Sequence, residues 1–541
     1  MAPVLSATSM READRLTMDE IGIPDHTLME SAGREAAEVA EEMIDVICGS
    51  AQDHRVDTGW WADERAENPP LSAHIVCLCG KGNNGGDGLV MARYLSARGH
   101  RLSVVLFGDE KTYTGAAAAN LSILEKVASS QSVAILSYVN ESTLTGLDPA
   151  DLVIDALLGT GLQSNVRPPL SDAIDWVNHQ KATILAVDIP TGLCADSGHI
   201  LGHAVRAHVT VTMGALKAGL LIGDGPELVG ALHVVDIGIP PFILNKVCHE
   251  LGEVRVSNAD FVSSLLPVKS RKDHKYAHGP TIVVAGSKTF PGAPVLACLG
   301  AAKAGSGYVV CVCPPIIRGL LEEKLTEIPV ESWEGEADHA TLAALIQRLD
   351  SKWTKAKALL VGPGLGRKEN VTLLVKTLLQ AHQGNAVVDA DALFALRDQK
   401  AWVQAHSNGR WVFTPHDGEF AVLSGGDALK QNRIEAARAL SNEWNVVVLL
   451  KGLPSIIASP DGQVVINPTG NPSVGTAGTG DVLSGIVAGL LAQGLSPMLA
   501  ALSGIHIAGT AADLFVEERA AGSMMAHDIL EWLPVALASY R

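Results

Sequence analysis

A chain of 541 residues is too long for one hydrophobic core, because cores stop growing near ~250–300 residues, so two domains of similar size are expected. With 47% apolar, 18% charged and 4% aromatic residues, the composition excludes a disordered chain and leaves Ala, Val, Leu and Ile to fill the cores. A formal charge of −18 argues against nucleic acid or an anionic membrane as partner, since each needs a basic face, but not against a phosphorylated small molecule.

The start, MAPVLSATSMREAD, has no basic segment followed by an apolar run, so no signal peptide is expected. No stretch reaches the ~18 uninterrupted apolar residues of a membrane span. The nearest, Val482 to Leu491, is broken by Ser484 and two glycines. These readings place the protein in the cytoplasm. The eight cysteines form no CxxC pair. Cys77 with Cys79 and Cys311 with Cys313 sit two apart in strand-like runs, which puts both sulfurs on one face as buried thiols, and no zinc or redox site is expected.

From the N-terminus, Met29, Ala32, Ala36, Val39, Met43 and Val46 fall on one helical face. A polar insert at 50–72 reads as a surface loop, and AHIVCLCG follows as a strand. Further strands are predicted at 102–107, 152–158, 183–189, 208–213 and 232–237, with helical segments between most of them. That alternation predicts a mostly parallel sheet covered on both faces. A second α/β series begins near residue 279 with TIVVAGS and runs through YVVCVCP, ALLVGPGLG, AVVDADAL, WVFTPH and VVVLLKG. SIIASPDGQVVINP reads as a hairpin around Pro460-Asp461-Gly462, and the pattern is helical from Thr479 onward. Between the series lies 241–275 with the basic, turn-like run Lys269 to Lys275, and the boundary is placed at 255, giving domains 1–255 and 256–541.

Directly after the first strand comes GKGNNGGDG over Gly80–Gly88, then a helical run. Glycines there allow close approach to a phosphate, and the exposed amides of the next helix favour its charge. A GxGxxG falls on Gly80, Gly82 and Gly85, with Asp109 where a ribose-binding acid would sit; alone this suggests an ordinary dehydrogenase. Asn83, Asn84 and Asp87 add side chains that a backbone cradle does not require. Asp155 ends VID before LGTGL, and Asp188 ends ILAVD before IPTGL. Acids at carboxyl ends of parallel strands point into the ligand crevice. Each taken singly also fits a helix cap; three beside Gly-rich loops favour a shared site.

LMESAG at 28–33, GKGNNGGDG, VIDALLGTGL, DIPTGL and KAG at 217–219 together resemble the YjeF N-terminal domain family over roughly residues 1–240, whose enzymatic members are NAD(P)H-hydrate epimerases on a Rossmann-like three-layer α/β fold. The resemblance implies that Asn83, Asn84, Gly85, Gly86 and Asp87 bind substrate phosphates and ribose. Gly159, Thr160, Gly161, Leu162, Gln163, Ser164 and Asn165 would form a second wall. Asn84, Asp155 and Thr191 would surround a potassium ion, with Thr191 where the family usually has Ser. Epimerisation at C6 of the hydrated ring needs proton exchange or assisted departure of hydroxide, and Asp188 is taken as the acid/base group, with simple binding of the hydroxyl as its competing role. Lys217 is a weaker candidate for the acid/base role and reads rather as a solvated or structural lysine.

In the second half, NPTGNPSVGTAGTGD ends at Asp481 just before a helical run. Gly478 and Gly480 expose successive amides to an anion, and Asp481 in the first turn can take a hydroxyl proton, a geometry suited to phosphoryl transfer. A helix cap with a dipole-favoured acid is the plainer reading. The run resembles the ribokinase-like superfamily, and HKYAHG at 274–279, AGSKTFPGAP, GPGLG, VDADAL, TPHDGEF and KGLPS narrow the resemblance to its NAD(P)H-hydrate dehydratase branch over about 260–541.

That resemblance assigns Ala293, Gly364, His416 and Asp481 to the hydrated cofactor, and Lys451, Gly452, Leu453, Pro454, Ser455 and Gly480 to the nucleotide. Without its neighbours, His416 would read as a core histidine at a strand end. Asp417 stands where the family commonly has Pro. The implied reaction phosphorylates the C6 hydroxyl with Asp481 as base, after which phosphate leaves and the ring double bond returns. The implied reactants are hydrated NADH or NADPH and ADP, preferred over ATP, with magnesium accompanying the nucleotide. Two other readings stay open: a hydroxymethyl or sugar kinase with a regulatory N-terminal domain, and a non-catalytic N-terminal scaffold. Ala/Gly-rich helices in the second half permit a homo-oligomer without demanding one.

Overall fold

A computed structural model describes the chain except residues 48–71, 251, 253, 269, 275–277, 336, 427–428, 430–431 and 541. The insert at 50–72 therefore lies almost wholly outside the described residues, as do parts of the 269–275 run and of HKYAHG. The chain divides into two compact units, Pro3–Leu251 and Met1–Ala2 with Gly252–Arg541.

In the first unit a seven-stranded parallel sheet has the order Val133–Ser137, Arg101–Phe107, His74–Gly80, Leu152–Ala156, Thr183–Val187, Val209–Met213, Ala231–Val235. The central strand His74–Gly80 is buried along its whole length, and its side chains alternate between two cores. Ile75, Cys77 and Cys79 face the helices Asp25–Ile47 and Asn83–Ala97, while Val76 and Leu78 face Leu170–Asn178. The Cys77 and Cys79 sulfurs accordingly lie 3.5 Å apart on one face. Helix Asp25–Ile47 buries Met29, Ala32 and Ala36 of the predicted stripe, with Val39 and Met43 partly buried, and adds Gly33, Ala37, Ala40 and Ile44, while Val46 is 71% exposed. Small residues win because the neighbouring helix comes too close for larger ones: a Cβ on Gly33 would sit 2.4 Å from that of Val90. The sequence also does not announce the edge strand Val133–Ser137, or the short parallel pair of Ala2–Leu5 with Leu216–Lys217.

The second unit carries the strand order Val330–Ser332, Tyr308–Cys313, Pro280–Val284, Ala358–Val361, Asn385–Val388, Trp411–Phe413, Val447–Leu450, Ser455–Ala458, Val464–Asn467, Val254–Val256. Pairing is parallel except at Ser455–Ala458, which runs antiparallel to both neighbours and makes the predicted hairpin with Val464–Asn467. Helices Ala293–Lys303 and Thr479–Ala492 lie parallel and in main-chain contact. A Cβ on Gly485 would be 2.1 Å from the Ala297 carbonyl oxygen, and one on Gly489 would be 2.6 Å from that of Ala301. Carried one turn back, this register sets Ala293 level with Asp481. The helix nearest a membrane-spanning length and apolarity is Pro497–Glu518, not 482–491, and 67% of its most apolar window is buried inside the protein. It packs in the core with Thr479–Ala492.

Candidate active sites

Both candidate sites lie at carboxyl ends of parallel strands. In the first unit, helix Asn83–Ala97 starts directly after the central strand with Gly82 as its N-cap. Close packing explains most glycines of this turn. A Cβ on Gly85 would be 1.7 Å from the Gly80 carbonyl oxygen, one on Gly86 would be 2.6 Å from the Met29 sulfur, and one on Gly88 would be 2.6 Å from Ala156 Cβ. These three seat the helix on the strand and on helix Asp25–Ile47. Asn83, Asn84 and Asp87, by contrast, line a cavity of about 780 Å³ together with Gly159, Thr160, Gly161, Leu162, Gln163, Ser164 and Asp188. Gly85, Gly86 and Asn165 are not among its lining residues, and the Asn165 side chain turns toward Gly202.

Asp188 sits at the carboxyl end of Thr183–Val187 with φ of +65°, a left-handed conformation that a non-glycine residue adopts at a cost. It is held there by its main-chain N–H, which donates to Val211 O at 2.7 Å, and by donors converging on one carboxylate oxygen. Oδ1 accepts from Lys217 Nζ at 2.6 Å, and from the Thr212 hydroxyl and Met213 N–H, each at 3.3 Å. Oδ2 is turned the other way, 3.6 Å from where a Cβ on Gly159 would stand, in the part of the cavity beside Asn84. One oxygen is therefore an anchor, and the other faces the cavity.

Lys217 is not solvated. It is fully buried, and its ammonium also donates to Thr212 Oγ1 at 3.0 Å and to Met213 O at 2.8 Å, which uses all three of its protons. Two more carboxylates face this pair. Burial, with the charges of Asp188 and Asp14, pushes the Asp87 carboxyl well up, against the pull of Lys217. Burial also pushes Asp14 up to about 6, opposed by Lys217 and helped by Asp188. Asp14 lies on helix Ala7–Leu16, lines the same cavity and belongs to none of the motifs; only the tertiary fold delivers it. Replacing Lys217 by Met strands the half-buried Asp188 charge, a cost of about 3 kcal/mol. For a unit of this size that is a fall of roughly 6–12 °C in its unfolding transition, read by calorimetry.

Asp155 is completely buried and saturated by local donors. Thr191 N–H reaches Oδ2 at 2.8 Å, the Thr191 hydroxyl reaches Oδ1 at 2.7 Å and Leu157 N–H reaches Oδ1 at 3.3 Å. Burial nevertheless lifts its carboxyl to about 6. The Leu158 N–H donates to Thr191 Oγ1 at 3.0 Å, so strand ends 156 and 187 and the loop at 158–159 are tied together. Asn84 sits against Gly159 at the edge of this knot, 7% exposed, with neither its amide oxygen nor its nitrogen hydrogen-bonded. A buried amide without partners costs ~1–3 kcal/mol, which marks a place where a ligand's polar atoms belong. The GxGxxG-associated Asp109 lies away from this cavity, capping a short 3₁₀ turn through Lys111 N–H at 3.0 Å.

In the second unit the cluster forms around Lys451, at the end of Val447–Leu450. Its ammonium lies 3.1 Å from Asp389 Oδ1, 3.7 Å from Glu419 Oε2 and 3.3 Å from where a Cβ on Gly480 would stand, so any side chain at 480 would press on it. Burial works to lower the Lys451 ammonium, but the charges of Asp389, Glu419 and Asp481 carry it above its ordinary value. Burial and the negative charge of Asp389 push Asp481 up to about 7, against the attraction of Lys451. Gly478 turns left-handed, φ +92°, to start the helix, and the Thr479 hydroxyl is spent on the Val474 and Thr476 carbonyls. The amides of Gly480 and Asp481 are left to face an anion.

Ala293 and Gly364 are brought together: a Cβ on Gly364 would be 2.9 Å from that of Ala293. His416 is not a core residue. Its side chain is 61% exposed, and Nδ1 accepts from Gly418 N–H at 3.0 Å and Glu419 N–H at 3.3 Å, capping helix Asp417–Ser424. The acceptor role of Nδ1 assigns the ring proton to Nε2. In KGLPS, Lys451 N–H donates to Pro415 O at 2.8 Å and the Ser455 hydroxyl to Gly452 O at 2.8 Å, while Leu453 is 45% exposed ahead of the cis Pro454. Asp417 bonds Arg433 Nη1 through both oxygens, at 2.7 and 2.8 Å, and Arg433 Nη2 donates to Lys451 O at 3.0 Å. Where a proline could make no such bond, this chain braces its KGLPS turn.

Comparison with known proteins matches each half separately and the chain as a whole. The family model described as YjeF-related protein N-terminus matches residues 25–219, and the one described as NAD(P)H-hydrate dehydratase matches residues 281–535. The bifunctional NAD(P)H-hydrate repair enzyme Nnr of Salinibacter ruber is 40% identical over 545 aligned residues, covering 98% of this chain and 95% of its own. The protein of the same name from Moorella thermoacetica is 39% identical, with 99% and 96% covered. Among solved structures, the ADP/ATP-dependent NAD(P)H-hydrate dehydratase of Bacillus subtilis, co-crystallised with ATP and Mg²⁺, is 27% identical over 53% of this chain and 99% of its own, with a TM-score of 0.45.

Proposed function

Because the chain belongs to the family of bifunctional NAD(P)H-hydrate repair enzymes, we propose that its first unit epimerises hydrated NADH and NADPH at Asp188 and its second dehydrates the S form at Asp481. The observation that carries the first half is the split carboxylate of Asp188, whose anchored Oδ1 leaves Oδ2 in the cavity. In its protonated form Oδ2 gives its proton to the departing C6 hydroxyl, with the ring nitrogen's lone pair assisting, and the carboxylate so formed recovers a proton when water adds back to the planar ring, so the group ends the cycle as it began. Lys217, Thr212 and the Met213 amide hold Asp188 through both steps and do not themselves exchange protons.

In the second unit Asp481 takes the proton of the C6 hydroxyl as a phosphoryl group arrives from the nucleotide. Lys451 and the amides of Gly480 and Asp481 stabilise the charge that develops on that group. Phosphate then leaves with the ring's electrons restored to a double bond and a proton lost from the neighbouring ring carbon. Hydroxide is a poor leaving group and phosphate a good one, which is why a nucleotide is consumed. We read the donor as ADP, as the resemblance to bacterial-type fused enzymes implies, and AMP as product. Among the described residues no three His, Cys, Asp or Glu side chains converge on a metal position, so magnesium is read as arriving on the nucleotide's phosphates.

Asn84, Asp155 and Thr191 would supply oxygen donors of the kind potassium takes, and the Asn84 amide oxygen, buried without a partner against Gly159, supports that reading. A monovalent cation there would offset the negative charge of Asp155 and of the substrate's phosphates. Potassium chloride should then raise the unfolding temperature of the full chain more than choline chloride at equal ionic strength, and Asn84→Ala should erase the difference. The described cysteines are all free thiols, which supports a cytoplasmic setting.

The overall test supplies mixed R and S hydrates with ADP or ATP and follows the return of NADH absorbance. Recovery of both epimers with one of the nucleotides is expected. A stable phosphorylated alcohol without recovery would favour the kinase reading.

A further inference from the structure

The first unit has a second cavity, of about 560 Å³, lined by Phe107, Gly108, Asp109, Glu110, Ser137, Tyr138 and Pro169. Phe107 lines the main cavity as well, so the two meet at that ring. Their positions on the sheet differ in kind. The main cavity opens over the ends of the strands that finish at Ala156 and Val187, where Asp188 stands. The second lies over the ends of the two strands on the other side of the glycine-rich turn, Arg101–Phe107 and Val133–Ser137.

A dinucleotide crossing an open parallel sheet at its switch point places its pyrophosphate at the helix that follows the central strand, with one nucleoside on each side. With the hydrated nicotinamide at Asp188, the adenosine must fall on the Phe107 side. There Phe107 and Tyr138 stack with ring centroids 4.5 Å apart and planes inclined by 22°, and half-buried Tyr138 offers an adenine a flat neighbour. Asp109 accepts Lys111 N–H through Oδ1, and among the described residues Oδ2 has no partner.

We propose that this second cavity is the adenosine subsite of the epimerase, that Asp109 accepts a hydrogen bond from the ribose 2′-hydroxyl there, and that the site therefore prefers hydrated NADH to hydrated NADPH. The inference rests on reading the first unit as a hydrate epimerase. A 2′-phosphate would meet Asp109 and Glu110 with no cation among the lining residues. The surroundings add to that sign: burial, then the charges of Asp172 and Glu141, push the Tyr138 phenol up. Lys81 lines only the main cavity, where the pyrophosphate passes.

The test uses the full chain and chromatographic resolution of R and S forms, with hydrated NADH, hydrated NADPH and hydrated nicotinamide mononucleotide, which lacks the adenosine. KM is expected to be about tenfold lower for hydrated NADH than for hydrated NADPH, the worth of one hydrogen bond to a charged group. Asp109→Asn keeps the cap on Lys111 N–H but removes the charge, and should narrow that ratio by lowering KM for hydrated NADPH. Tyr138→Ala should raise KM for both dinucleotides about tenfold through lost stacking, with kcat little changed and a much smaller effect on the mononucleotide. Equal KM values that Asp109→Asn leaves equal, or a Tyr138→Ala penalty as large on the mononucleotide as on the dinucleotides, would overturn the subsite. Absence of epimerisation on all three substrates would instead remove the reading beneath it.

Discussion

Asp188→Asn is expected to slow epimerisation by about 10²–10⁴-fold, the usual worth of a positioned acid/base group. The substitution keeps the shape of the side chain and leaves Thr212, Met213 N–H and Lys217 with an amide oxygen to meet, but the oxygen or nitrogen facing Gly159 can no longer shuttle a proton. In the coupled assay with mixed hydrates and excess nucleotide, absorbance should return in two phases: a fast one equal to the S fraction, unchanged from the native protein, and a slow one at the spontaneous rate of R-to-S conversion. A single fast phase recovering everything would show that Asp188 merely binds the hydroxyl. The S phase reports the second unit in the same cuvette and guards against general damage.

The dehydratase should be the more pH-sensitive half. Asp481 must be unprotonated to accept the hydroxyl proton, and burial with the charge of Asp389 has raised it to about 7. Its kcat/KM should therefore fall about tenfold per unit as the pH drops below 7 and level off above, because that ratio reports the free enzyme. Asp481→Asn should lose ~10²–10⁴-fold in dehydration and the acidic limb with it, while epimerisation continues. Stability moves the opposite way. A carboxyl raised from its ordinary 3.8 is disfavoured as the anion in the fold, so the penalty is fully present above about 7 and is relieved as the pH falls through that value toward 4. At pH 8 the Asn variant should melt no lower than the native chain, a result that a variant damaged in its fold would not give.

Most of the sheets were legible because their strands are continuous apolar runs between glycine-rich turns, as with His74–Gly80 and Tyr308–Cys313. Val133–Ser137 escaped because its apolar run, Val133–Leu136, is only four residues long and stays largely exposed at the edge of the sheet, with no glycine-rich turn after it. The roles of individual residues were harder. From its type alone Lys217 reads equally as a solvated or a structural lysine, and only the convergence of Asp188, Thr212 and Met213 O decides for the buried, structural one. Asp14 stands in an ordinary amphipathic helix with no motif around it, so nothing local distinguishes it from a surface acid. The glycines at 85, 86 and 88 invite a phosphate reading in one dimension, and what cannot be read there is that a helix touches a strand or another helix at each of them. His416, assigned to the hydrated cofactor by resemblance, would read as core from its place after a strand alone, and only the structure shows its Nδ1 capping a helix.

The parallel contact between helices Ala293–Lys303 and Thr479–Ala492 also bears on how this enzyme can vary. Because Gly485 and Gly489 bring main chain against main chain, the gap between Ala293 and Gly480, the proposed hydrate and phosphate contacts, is set by backbone and not by rotamers. Neighbouring core side chains such as Val482, Leu483 and Ile486 can then drift among apolar types, with repacking absorbed on their far sides, while the span that a phosphoryl group must cross stays constant.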